Sequence, residues 1–109
     1  MKTVSKDYDL IVSIVNKGHA DFIVDISKKA GADGGTIVYG RGTGIHEKAK
    51  LFSMLIEPEK EIILTLTKKS DTEKVLNAIV TEGELSKPGN GVAFVMEVEK
   101  TAGICIDPV

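Results

Sequence analysis

Two amphipathic helical patterns, each held between β-rich runs, most constrain what this chain can fold into. Tyr8-Asp9-Leu10-Ile11-Val12-Ser13-Ile14-Val15 is the first β-rich run, with Leu10, Val12 and Ile14 on one side. Asn16-Lys17-Gly18-His19 breaks it. Phe22, Ile23, Ile26 and Ala30 then recur at helical spacing. Asp21 and Lys28-Lys29 sit at the ends where their charges complement the helix dipole. The spacing predicts a helix over 20–30. Residues 35–40 read as a second strand, residues 51–56 are apolar enough for a strand to resume, and 61–67 form a clear third strand. Ser70 and Glu73 have the spacing of a capping box, in which a hydroxyl and a carboxylate satisfy first-turn N–H groups reciprocally. Val75, Leu76, Ile79 and Val80 give a second helix over 71–82, and residues 92–97 a fourth strand. The tail, 100–109, has no strong pattern.

This order predicts an α+β fold: a ferredoxin-like βαββαβ sandwich, with a four-stranded antiparallel sheet and two helices on one face. The 109 residues form one domain, 1–109. Ile11, Val15, Ile63 and Val95 suggest that the sheet face opposite the helices is partly apolar, and an uncovered apolar face marks an interface. Oligomerisation is therefore expected. Met54 and Met96 read as core fillers.

Charge and composition exclude several functions. Sixteen acidic and 14 basic residues leave a formal charge of −2, so there is no broad basic field for nucleic acid. With no Trp and 5% aromatic residues, a base-stacking platform is not expected either. No apolar run approaches the ~18 residues of a membrane span. The single cysteine, Cys105, has no intrachain partner and no cationic cluster nearby in sequence, which fits an inert thiol and a cytoplasmic location. Glu57, Glu59 and Glu61 alternate with lysine on a corner and read as a solvated face rather than a catalytic pair. His19 is expected at a helix start, exposed. No residue set has metal-ligand spacing or forms a nucleophile–base arrangement, so no catalytic or metal residues are assigned.

Two glycine-rich segments remain. Gly40-Arg41-Gly42-Thr43-Gly44 ends a strand without the Lys-Ser/Thr of a P-loop. Lys87-Pro88-Gly89-Asn90-Gly91 precedes the last strand, and its glycines permit positive φ. Either segment can receive an anion or a ribose, or simply turn the chain.

Three motifs in this order resemble the PII signal-transduction (nitrogen regulatory P-II) family over most of residues 8–104. Thr36-Ile37-Val38 leading through Arg41-Gly42-Thr43-Gly44 looks like the strand and glycine pair before the family's T-loop. Glu57-Pro58-Glu59-Lys60-Glu61-Ile62 looks like its proline-marked corner, and Gly89-Asn90-Gly91-Val92-Ala93-Phe94 like its B-loop and following strand. The resemblance implies a homotrimer that binds a nucleotide in clefts between protomers. It puts Thr36 near an adenine, Gly42 and Gly44 along the nucleotide, and His46 where the family carries a glutamine linking nucleotide, metal and T-loop. Gly89, Asn90 and Gly91 would offer backbone N–H groups to phosphates, and Arg41, Lys48, Lys50, Lys87 or Lys100 are the candidates to replace cations that the family carries elsewhere.

This sequence departs from the family at its cations. Val92 stands for the B-loop lysine, Glu59 for the basic residue after the corner proline, and Gly103 and Cys105 for two C-terminal arginines. Fewer charge-assisted bonds favour a ligand less anionic than ATP, or a site that has lost its ligand. The T-loop region, 44–50, is short and lacks a tyrosine.

The reading is thus a shortened-T-loop, non-enzymatic regulator. It requires no cofactor, senses an adenine nucleotide (ADP or AMP) and signals to an unidentified protein target. The alternatives are a ligand-free structural trimer and a divalent-metal-binding trimer of the cation-tolerance type. Replacing Gly91 by a bulky acidic residue is expected to abolish binding without unfolding the chain.

Overall fold

The computed structural model describes residues 4–43, 50–51, 54–55 and 58–104. Among them the elements run β1 (Val4–Ser5), β2 (Tyr8–Asn16), α1 (Ala20–Lys29), β3 (Thr36–Arg41), β4 (Lys50–Leu51), β5 (Met54–Leu55), β6 (Glu59–Lys68), α2 (Thr72–Glu82), β7 (Gly91–Glu97) and β8 (Thr101–Ala102). Strands β3, β6, β2 and β7 lie side by side in that order, every pair antiparallel. Both helices pack on one face, through Ile23, Ile26, Val75 and Ile79. This is the ferredoxin-like βαββαβ sandwich. Its four main strands and two helices fall within two residues of the expected bounds.

Two minor pairings carry too few residues to show a period. In place of a single strand over 51–56, β4 and β5 form a short antiparallel pair. In the patternless tail, β8 pairs with β1, and Thr101 Oγ1 donates to the Ser5 carbonyl at 3.3 Å.

The two sheet faces are exchanged relative to the sequence expectation. Ile11, Val15 and Ile63 lie under the helices, each at most 1% exposed, and Val95 shares their side. The open face carries Leu10, Val12 and Ile14 of β2, Ile62, Leu64 and Leu66 of β6, and Val92, Phe94 and Met96 of β7, which the register aligns in rows. Met96 is therefore an exposed residue of this face, not a core filler. Met54's side chain lies outside the described residues.

Polarity misdirected the expectation for a physical reason. The helix-side face contains Asp9, Glu61, Thr65 and Thr67, all buried. Three of these residues bond to groups at the starts of helices. Glu61 Oε1 accepts the N–H groups of Gly18 at 3.0 Å and Ala20 at 2.9 Å, so a strand carboxylate closes the start of α1. Asp9 Oδ2 accepts the Thr72 hydroxyl at 2.8 Å, and the Thr67 hydroxyl lies 3.0 Å from it. Glu61 is thus a buried structural group rather than part of a solvated face, whereas Glu59 is exposed and Glu57 lies outside the described residues. The Ser70–Glu73 box does not form. The N-cap of α2 is Asp71, which makes no side-chain cap bond, and Thr72 turns its hydroxyl to Asp9.

Glu61→Ala should lower unfolding free energy by about 2–3 kcal/mol, because two donors at the helix start lose a charged acceptor. Urea denaturation measures this. A loss below about 0.5 kcal/mol would show that water replaces Glu61 without cost.

Candidate functional site

Antiparallel pairing brings the end of β2, the end of β3 and the starts of β6 and β7 to one edge of the sheet. A cavity of about 310 Å³ opens there, lined by Ile14, Arg41, Gly42, Thr43, Lys60, Ile62, Gly91 and Val92. Its size is at the low end for small-molecule sites, and its make-up, apolar walls with a few placed polar groups, is typical of them. Ile14, Ile62 and Val92 make much of the lining apolar, while Arg41 and Lys60 bring two cations.

Of the residues singled out in the sequence, Arg41, Gly42 and Gly91 meet in this cavity. Gly44 and His46 lie outside the described residues. Thr36 is exposed at the far end of β3, opposite Leu64. Five residue steps along the strand separate it from Arg41, roughly 17 Å. Lys87 is turned to Glu84, Nζ to Oε1 at 3.2 Å. Gly89 has φ +84° and uses its carbonyl to accept from Asn16 Nδ2 at 2.9 Å. The Asn90 N–H donates to the Lys87 carbonyl at 3.2 Å, and its side-chain amide donates to the Glu84 carbonyl at 3.0 Å. Asn90 lines a separate groove beside His19, Phe22 and Glu82. Cys105, like Gly44 and His46, lies outside the described residues.

Sequence reasoning missed Lys60. It follows the corner proline by two residues, and alternation along Lys60, Ile62 and Leu64 puts all three on the open face. That spacing was the available signal, but assigning it needed the correct face. Lys60 is only 7% exposed, and its ammonium donates to Asn16 Oδ1 at 2.6 Å.

Glu59 does not stand unopposed near this cavity. Its carboxylate meets Lys17 Nζ at 2.8 Å. A hydrogen bond from Lys17 holds the Glu59 carboxyl below its usual range, helped by the charges of Lys17 and Arg41, and Glu59 in turn raises the Lys17 ammonium. Glu59 is therefore ionised and paired at neutral pH, so its repulsion of an anion is largely offset.

No group of three His, Cys, Asp or Glu side chains is arranged to hold a metal among the described residues. No helix among them is long and apolar enough to cross a membrane.

The architecture is that of the ferredoxin-like α+β sandwiches. Within that class, the profile of the family "Nitrogen regulatory protein P-II" matches residues 8–107, and the chain belongs to this family. Among solved structures, PII of Arabidopsis thaliana bound to citrate superposes with a TM-score of 0.65 at 22% identity. The match covers 87% of this chain and 80% of that one. CPII, a nitrogen regulatory PII-like protein from Thiomonas intermedia K12 bound to ADP, AMP and bicarbonate, gives a TM-score of 0.67 at 20% identity, over 90% of this chain and 96% of that one. No curated protein sequence matches the chain.

Gly91 has φ +136°, and a Cβ there would lie 2.5 Å from the Ile14 carbonyl oxygen and 3.1 Å from Val15 Cγ1. A bulky acidic residue at 91 would thus disturb the β2–β7 pairing as well as the cavity, contrary to the clean loss of binding expected from the sequence. Gly91→Ala alone should cost about 1–3 kcal/mol of stability. Denaturation at wild-type midpoint would contradict the positive-φ requirement.

Proposed function

We propose that this chain is a non-enzymatic PII-like regulator of nitrogen metabolism. It acts in the cytoplasm as a homotrimer, senses an adenine nucleotide at clefts between protomers, and passes occupancy to a protein target. The observation that carries this reading is the cavity where Arg41, Lys60 and Gly91 converge at the edge of an apolar, uncovered sheet face.

Trimer assembly would bury that face. Val38, Leu66, Val92, Phe94 and Met96 are each more than a third exposed on it, and such a surface is stabilised by association. A shared cleft also accounts for Thr36. Within one protomer it lies at the wrong end of β3 to meet the cavity, so it would serve the site of a neighbour. Gly44 and His46 are proposed to complete the cleft, together with the turn of Lys87, Gly89 and Asn90. The CPII structure contains ADP and AMP, which favours an adenine nucleotide here.

Arg41 and Lys60 are two cations, and Val92 occupies the B-loop position where the resemblance expects a lysine. Charge-assisted bonds should therefore suffice for AMP or ADP better than for ATP. One feature favours the ligand-free assembly reading instead: Val92 makes that wall of the cavity apolar.

Calorimetric titration decides between them. ADP and AMP should bind saturably at one per protomer, with ATP weaker. No heat with any of the three, in folded protein, would leave the assembly role. Val92→Lys should strengthen ATP binding about tenfold by adding one charge-assisted bond. Unchanged ATP affinity would remove Val92 from the phosphate wall. Phe94→Glu places a charge on the open face and should convert trimers to monomers in light-scattering measurements. A trimer that tolerates it would mean that another surface assembles.

A further inference from the structure

Asn16 is the last residue of β2, and both ends of its side-chain amide are engaged. Lys60 Nζ donates to Oδ1 at 2.6 Å, and Nδ2 donates to the Gly89 carbonyl at 2.9 Å. These partners fix the amide's orientation, because an ammonium has only donors and a carbonyl only accepts. One side chain therefore joins the cation of the cavity to the turn that leads into the opposite wall, Gly91 and Val92.

The other bonds of that turn are local. Asn90 N–H to Lys87, Lys87 N–H to Glu84 and Asn90 Nδ2 to Glu84 all stay within residues 84–90. The Asn16 bond spans 73 residues of sequence and ties the turn to the central sheet. On its outer side the same turn lines the groove with His19, Phe22 and Glu82. A change in the turn is thus displayed on the helix side of the molecule, away from the cavity.

We propose that Asn16 is the positioning residue of this site. The Lys60–Asn16–Gly89 relay sets the cation and the 84–91 turn in place together, and a phosphate-bearing ligand in the cavity stiffens that turn. A ligand that bridges Lys60 and the Gly91–Val92 wall orders less when both are already tied, so it binds more tightly. By linkage, its binding strengthens the tie in return. The ligand-linked half rests on the nucleotide reading; the relay itself does not.

The test is amide hydrogen exchange on the full chain, without and then with ADP. Without ligand, Asn16→Leu, Asn16→Asp and Lys60→Met should each accelerate exchange at Asn90 about tenfold, the effect of losing one hydrogen bond. Exchange at Val12 and Ile63 should stay unchanged, which a general loss of stability would not allow. Asn16→Asp keeps an acceptor for Lys60 and loses the donor to Gly89, so it serves if Asn16→Leu fails to fold. Unchanged Asn90 exchange in the Asn16 variants overturns the proposal. So does a Lys60→Met variant that behaves as wild type, because the two bonds would then be independent. With ADP, Asn90 exchange should slow in the wild type and not in Asn16→Asp. ADP that binds by calorimetry without slowing Asn90 refutes the stiffening. An absence of ADP binding instead refutes the nucleotide reading, and the ligand-free exchange still decides the relay.

Discussion

The register between β2 and β6 governs the rest of this molecule. Nine consecutive pairs, from Tyr8 opposite Lys68 to Asn16 opposite Lys60, form the centre of the sheet. That register aligns Ile11, Val15 and Ile63 under the helices. It sets Asp9 beside Thr67, within reach of Thr72, and Glu61 beneath the start of α1. It also brings Lys60 against Asn16. A slip of one residue would turn the side chains of one strand to the opposite face from their partners on the other. The core, the helix starts and the cavity therefore stand or fall together.

The element order was legible in the sequence because Phe22, Ile23 and Ile26, then Val75, Leu76 and Ile79, repeat at helical spacing between β-rich runs. The choice of face was not legible. β2 is apolar on both sides, so alternation could not decide, and the buried Asp9, Glu61 and Thr67 look like solvent-facing residues. Their partners are hydroxyls and N–H groups at helix starts, and those of Asp9 and Glu61 lie more than 40 residues away in sequence. The same reversal hid the open face, whose apolar residues belong to a surface that association would cover.

The candidate site was legible in part. Arg41, Gly42 and Gly91 come from motifs with local signatures, and the sheet brings them to one edge. Lys60 has no such signature. Its contact is with Asn16, 44 residues earlier, and its place in the cavity follows from the face it occupies. Lys87 and Asn90 looked available in the sequence, but local bonds to Glu84 engage them both. Glu59, which stands where the family carries a basic residue, is paired with Lys17, a pairing that only the fold reveals.

The central claim is that a ligand occupies the cavity at the Asn16 edge of the sheet. Methyl NMR of the isoleucines and valines, recorded during an ADP titration, locates the ligand directly. The account predicts saturable shifts at Ile14, Ile62 and Val92, with Ile26 and Ile79 beneath the helices unmoved. Saturable shifts confined to methyls away from that edge, or no shift at any methyl, would contradict it.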